Sequence, residues 1–414
     1  MFSTGAAYAA AGQARQLDPQ SASKHRHRWV LGTAVLGENE INVLEFDEDE
    51  GTLECCSTYD HPNGQIWAMA TSPRDSSLLI TSHQDNMKGH GLSLFRMPGQ
   101  SLSEINSGGG KSEVGTKQDL LKLQSIENTI PEKRDPAYVT SVKWSPHDDK
   151  IIAIKESTVA VYNITETSVK MEDSGKMDLR IEVDLDPSKN KAFTGTYSAA
   201  AWDPHSNNSA AVVSDAYLHL LDTRSMSISH SIQAHRGACR DVDYNPNKSQ
   251  SLITAGDDRK IRVWDLRQPK EPVRTLLGHG HWVWCAKYNP FYDQLVLSGG
   301  SDNRVNLWRV ASCSSLPWLG GSTVDDDDVD GSDRRSTVSE KSKASSMTVE
   351  SAATDDSQSL DPPDVKIKEH DCHTDSVYSV AWSPADAWVY CSLSLDGRVY
   401  LNHVPAAEKY KLLL

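Results

Sequence analysis

The chain has 414 residues, 38% hydrophobic and 24% charged, and 57 acidic against 42 basic side chains give a formal net charge of −15. That balance argues against a protein that coats nucleic acid, whose affinity rests on neutralising phosphates, and against broad adsorption to an anionic membrane. At about 150 residues per domain the length suggests two or three domains, a prior that internal repeats override.

Residues 1–28 carry small side chains and then the run Lys24-His25-Arg26-His27-Arg28, without the apolar stretch of a secretory signal. No apolar run approaches ~20 residues, so no direct membrane insertion is expected. The seven cysteines include the adjacent Cys55 and Cys56 but no C-x-x-C, which reads as a reduced, cytosolic inventory.

A short mark then recurs along the chain: an apolar strand, an aromatic or small residue, a polar residue and Pro. It ends at Pro19 (QARQLDP, the weakest), Pro73 (QIWAMATSP), Pro146 (AYVTSVKWSP), Pro204 (YSAAAWDP), Pro246 (CRDVDYNP), Pro290 (VWCAKYNP) and Pro384 (DSVYSVAWSP). The spacings are 54, 73, 58, 42, 44 and 94 residues. After Pro246, strands are expected over 252–255, 260–264 and 273–277; after Pro290, over 294–298 and 304–308. They are rich in β-branched or aromatic residues and bounded by Gly, Asp and Asn. Four strands in 42–44 residues is the period of a propeller blade. The expected fold is therefore all-β, a single seven-bladed propeller over residues 1–414.

The longer spacings are blades with insertions. Residues 99–117, with Gly108-Gly109-Gly110, read as a flexible loop. Residues 322–364 hold 12 acidic and four basic side chains, many Ser and Thr and no aromatics, and read as a disordered acidic insert in blade six. The insert lies between the third strand and a short fourth strand over 365–368. That connection leaves the bottom face, opposite the loops that join a fourth strand to the next first strand.

Blade five carries His235, Thr254, Asp258 and Trp264-Asp265, and blade six repeats the set as His279, Ser298, Asp302 and Trp308. These residues resemble the WD-repeat family, which implies that each foursome forms a hydrogen-bonded tetrad. The chemistry is reasonable, because an ionised Asp needs donors that His, hydroxyl and indole N–H can supply. Blade seven has His373, Ser392 and Asp396 but Asn402 in place of Trp, and blade four has Asp215 with Ala211 and Leu221.

Further runs narrow the resemblance: Asp222-Thr223-Arg224-Ser225-Met226-Ser227, Asn245-Pro246-Asn247-Lys248, His281-Trp282-Val283-Trp284, Asp293-Gln294-Leu295, the acidic run over 325–328, Asp375-Ser376-Val377-Tyr378 and the closing Tyr410-Lys411-Leu412-Leu413-Leu414. Together they are similar to WD-repeat proteins that interact with the EARP and GARP vesicle-tethering complexes. The likeness is close over the second half of the chain; in the first half mainly strand order carries it. It implies a non-catalytic scaffold whose partners are protein subunits of the EARP and GARP complexes, with no nucleic acid and no cofactor. It implies a role in endosomal recycling and endosome-to-Golgi traffic, and a cytoplasmic location, peripheral at endosomes and the trans-Golgi network.

Chemistry-bearing patterns reduce to the repeat. Gly110-Lys111-Ser112 lacks the Gly of a phosphate loop at position 105, which is Ile. His370, Cys372 and His373 match no common zinc spacing, and His373 stands 11 residues before Pro384 as His235 and His279 stand before Pro246 and Pro290. No enzyme activity and no metal site are expected. The positions eight and six residues before each Pro are more informative. In WD propellers they face the top of the channel, and here they give Trp67, Tyr138, Arg240, Trp282, Trp284 and Tyr378. Trp, Tyr and Arg are the residues enriched at binding hot spots, so this set is the candidate partner-binding patch; packing between blades is the competing arrangement. Trp264-Asp265-Leu266-Arg267 and Leu221-Asp222-Thr223-Arg224 also resemble the W-D-x-R box of substrate receptors of cullin ubiquitin ligases, the alternative function.

Overall fold

A computed structural model of the protein describes residues 6–85, 89–101, 117–128, 139–155, 158–165, 168–178, 197–316 and 364–413. The described strands form seven sheets arranged as propeller blades. Blade five is Cys239–Tyr244, Ser251–Gly256, Lys260–Asp265 and Arg274–Leu277, in antiparallel sequence from the innermost strand outward. Blade six is Val283–Tyr288, Leu295–Gly300, Val305–Val310 and Asp364–His370. Residues 317–363, which contain nearly all of the expected acidic insert, lie outside the described residues.

Two blades are assembled from distant chain. Blade one has five strands: Ala14–Pro19, His27–Thr33, Asn39–Asp47, Thr52–His61 and, running parallel to the last, Lys117–Asp119. Blade seven is Val377–Trp382, Val389–Ser394 and Arg398–His403, and Ala7–Ala9 pairs antiparallel with its third strand to supply the fourth. The loop expected over 99–117 is narrower at both ends, because Gln100 is buried and accepts from the buried Arg28 guanidinium at 3.0 Å, and Lys117 already belongs to a strand. Residues 102–116 lie outside the described residues.

Alternating side chains put apolar groups on both faces of each blade, so the core lies between blades. Seven apolar clusters fill the seven seams; Ile253, Val263 and Leu276 of blade five, for example, meet Ala286, Val296 and Trp308 of blade six. The aromatic residue of the recurring mark latches a seam. Trp144 Nε1 donates to Ala70 O at 3.0 Å, Trp202 Nε1 to Lys143 O at 3.0 Å and Trp382 Nε1 to Lys287 O at 3.3 Å, each reaching from one innermost strand to the one before. At the mark with Tyr288, acids on the preceding strand do this work: Asp241 and Asp243 accept the backbone N–H groups of Ala286 and Tyr288 at 3.0 and 2.9 Å.

After blade seven the chain forms the helix Ala406–Leu413. Its buried Glu408 pairs at 2.7 Å with Arg309, whose side chain is 1% exposed, and this ties the helix to blade six.

Candidate functional site: the polar tetrads and the ring ladder on the top face

The tetrads expected in blades five and six are both formed. In blade five Trp264 Nε1 donates to Thr254 Oγ1 at 3.0 Å, Thr254 lies 2.8 Å from His235 Nε2, and His235 Nδ1 lies 2.8 Å from Asp258. In blade six the matching distances are 2.9 Å for Trp308 to Ser298, 2.7 Å for Ser298 to His279 and 3.0 Å for His279 to Asp302. One polarity satisfies every group: indole N–H to hydroxyl oxygen, hydroxyl O–H to Nε2, and Nδ1–H to carboxylate. Burial raises the Asp302 carboxyl, but the His279 hydrogen bond and backbone N–H donors outweigh it and leave it lowered. Asp258 is lowered further, because Arg262 adds a second donor at 2.7 Å. Gly256 makes room for the ring; a Cβ there would stand 2.7 Å from His235.

Blade seven departs from this pattern. His373 Nε2 meets Ser392 at 2.7 Å, but Nδ1 meets Ser394 at 2.8 Å, and Ser394 then donates to Asp396. Blade two holds a variant that the Trp-Asp signature could not reveal: His61 Nε2 lies 2.9 Å from Thr81, and the Phe95 ring takes an edge-on position 5.3 Å from the imidazole. In blade four, strand register sets Val212, not Ala211, opposite Ala200, as Thr254 is set opposite Val242. Both are apolar, so blade four has no hydroxyl at the position that Thr254 fills in blade five.

The candidate patch is held by a backbone device. Every innermost strand has a bulge at the same register, and the skipped residues are Arg15, Trp67, Thr140, Ser198, Arg240, Trp284 and Tyr378. A bulge re-aims its side chain. Six residues before the Pro of the mark is this bulge position, and so Trp67, Arg240, Trp284 and Tyr378 come together. Tyr378 stacks on Trp284 with centroids 4.8 Å apart and planes at 21°. Trp284 meets Trp282 edge-on at 6.0 Å. The Arg240 guanidinium lies 4.7 Å from the Trp284 centroid and 5.6 Å from that of Trp282. Trp282 is 41% exposed and the other rings half-buried, so the ladder is neither inter-blade core nor free surface. Tyr138 lies outside the described residues.

Arg15 was not among the expected residues, yet it completes the ladder. Its guanidinium lies 4.8 Å from the Trp67 centroid and 5.5 Å from that of Tyr378. Pro19 pairs with Trp29, and it holds the register of Trp382 rather than of Pro384. The equivalent of the Pro is Ser21, six residues beyond Arg15. Strand register carries the missing signal, and Pro spacing alone misplaces it.

At the other end of the channel lies a cavity of about 590 Å³, lined among others by Asp18, Lys143, Asp243, Lys287 and Pro384. Lys287 pairs with Asp241 at 2.7 Å. Burial raises the Asp243 carboxyl to about 6 against the opposing pull of Lys287. The two W-D-x-R arginines are exposed on the third-to-fourth-strand turns, and the Arg267 guanidinium is already bound bidentately by Asp265 at 2.9 and 2.7 Å. Among the described residues, no group of three or more His, Cys, Asp or Glu is disposed to hold a metal ion, and no helix is long and apolar enough to cross a membrane.

Comparison with known proteins agrees with this architecture. A family model described as EIPR1 beta-propeller matches residues 2–308, and a WD domain, G-beta repeat model matches residues 365–401. The chain is 36% identical to the human EARP and GARP complex-interacting protein 1 over 97% of both chains. It is 34% identical to the zebrafish (Danio rerio) EARP-interacting protein homolog over 97% of both, and 26% identical to EARP-interacting protein 1 of Caenorhabditis elegans over 97% of this chain and 96% of that one. With the seven blades, the two tetrads and this match across most of its length, the chain belongs to the EIPR1 β-propeller family.

Proposed function

We propose that the chain is a non-catalytic WD-repeat adaptor that binds subunits of the EARP and GARP tethering complexes. In this reading it supports their recruitment in endosomal recycling and endosome-to-Golgi traffic, working from the cytoplasm at endosomes and the trans-Golgi network. The observation that carries the reading is 36% identity over 97% of both chains to a protein named for interacting with those complexes. The top-face ladder supports it by offering what a protein partner needs: a rigid aromatic and guanidinium surface, positioned in advance by bulges in the innermost strands.

The test is affinity capture of purified EARP and GARP complexes on the immobilised chain. Binding by the wild type is expected, with loss in a Trp282→Ala/Trp284→Ala double variant whose thermal transition is retained. Truncating one hot-spot aromatic typically costs about 2 kcal/mol or more, roughly thirtyfold in affinity. Arg224→Ala and Arg267→Ala should leave capture unchanged. Failure of the wild type to bind either complex refutes the reading. Tagged protein that stays diffuse in cells, away from both organelles, refutes its placement.

A further inference from the structure

The two arginines of the ladder occupy matching stations but differ in one respect. Arg240 and Arg15 are both bulge residues, and both lie against rings of the ladder, 4.7 Å from Trp284 and 4.8 Å from Trp67. Arg240 is saturated: Asp257 receives its Nε and Nη2 at 2.7 Å each. Among the described residues no carboxylate pairs with Arg15.

Register explains the difference. Asp257 is the first residue of the hairpin that follows the second strand, and its N–H donates to Ala238 O. The same backbone bond marks the matching residue in other blades. In blade six it is Ser301, whose N–H donates to Trp282 O and whose hydroxyl accepts the Trp284 indole N–H. In blade one it is Ala34, whose N–H donates to Gln13 O. The bulge residue of blade five therefore finds its acceptor in its own hairpin, and so does that of blade six. In blade one the hairpin offers a methyl group.

We propose that Arg15 is a carboxylate receptor: a partner's extended segment sets an Asp or Glu side chain on the Arg15 fork, as Asp257 sits on Arg240, and lays an apolar side chain on the exposed Trp282. The chain thus carries its own template for the bound state. A guanidinium already held against Trp67 and Tyr378 loses little freedom when it binds, and its planar fork suits a carboxylate bidentately. The acid is the partner's, because the hairpin position that serves Arg240 is empty of one here. The inference deepens the adaptor reading above by naming the chemistry of the segment bound.

The test needs no knowledge of the partner. A phage-displayed library of random dodecapeptides is selected on the immobilised full chain, on Arg15→Gln, on Ala34→Asp and on Ala34→Asn. On the wild type, enriched peptides should carry Asp or Glu near an aromatic or aliphatic residue. Remaking them with Asn or Gln should weaken binding roughly tenfold or more. Ala34→Asp supplies the carboxylate internally and should abolish the enrichment while the fold is kept; Ala34→Asn, without the charge, should retain it; Arg15→Gln should lose it. No enrichment on the wild type, no preference for acids, or equal enrichment on Ala34→Asp overturns the proposal. The same four proteins are titrated with purified EARP and GARP complexes. Complex binding that ignores Arg15→Gln and Ala34→Asp removes this inference and leaves the adaptor reading. Acid selection without complex binding does the reverse.

Discussion

Blades six and seven lie side by side and solve one problem in two ways. Each buries a histidine whose Nε2 meets a serine at 2.7 Å. In blade six an indole closes the network on one side and Asp302 closes it directly on the other. In blade seven a second serine, Ser394, stands between His373 and Asp396, and the Tyr400 ring packs edge-on against the imidazole at 4.8 Å. The position of Trp308 is held by Asn402, whose buried Nδ2 has no hydrogen-bond partner. What the two blades share is a satisfied imidazole, reached with different residues. The requirement is physical, since an unpaired buried polar group costs more than a made bond contributes.

The comparison is sharpened most by pH. Burial lowers His373 to about 4, and His61, His219 and His370 likewise. Their folded values lie below the ordinary 6.5, so between pH 6.5 and 4 the unfolded chain binds protons that the folded chain refuses. Stability should therefore be full above pH 6.5 and fall as the pH drops through 4, by up to about 3 kcal/mol per histidine. Urea unfolding across that range checks it. His373→Gln should shallow the acid limb, and an unchanged limb would show that the blade-seven imidazole is not held neutral.

Next in size is the carboxylate itself. Asp302→Ala strands the buried His279 Nδ1, and should cost on the order of 1–3 kcal/mol; the Gly280 and Arg304 N–H groups it also releases are exposed and can turn to water. Asp396→Ala strands no imidazole, because Ser394 intervenes, and should cost clearly less. Equal losses in denaturant midpoint would erase the distinction between direct and relayed networks. A smaller effect is expected at the seam between these blades. Trp382→Phe removes the indole bond to Lys287 O and should cost about 1 kcal/mol, read in the same unfolding curves. The smallest belongs to Asn402→Leu, which removes a buried unpartnered amide and should be neutral or slightly stabilising. A marked loss there would mean that the amide is engaged.

Blades five and six were legible because both present the same chemistry in the same order, His, hydroxyl, Asp and Trp at fixed offsets from Pro. All six strands expected there by residue range fall within two residues of the expected bounds, among them Lys260–Asp265 and Val305–Val310. Blade two hid its histidine because Phe95 fills the indole's place and cannot donate. Blade one hid more. Its fifth strand, Lys117–Asp119, joins a sheet whose other strands end at His61, and no local pattern announces a pairing made across the first three strands of blade two, Gln65–Thr71, Leu78–Asp85 and Gly89–Arg96. Arg15 was missed for a similar reason: the Pro mark is a local sign, whereas the bulge that aims the side chain is fixed by the partner strand. Trp67, Arg240, Trp284 and Tyr378 were legible because in those blades mark and bulge keep the same spacing.

The ring is closed by three residues near one end of the chain, Ala7–Ala9, lying against Arg398–Tyr400 near the other. In kinetic terms this is a contact between segments roughly 390 residues apart, about the longest loop this chain can close, and such contacts form late. During synthesis Ala7–Ala9 is made before the other strands but has no sheet to join until the third strand of blade seven has left the ribosome. Blade one must meanwhile hold its face without the blade-seven face that covers it in the apolar cluster containing Leu17 and Val389. Six blades' worth of chain therefore waits as an open arc with two apolar ends, and the edge of Arg398–His403 is paired only in the final step. That interval, not the finished ring, is where this protein is most exposed to aggregation and has most use for a chaperone.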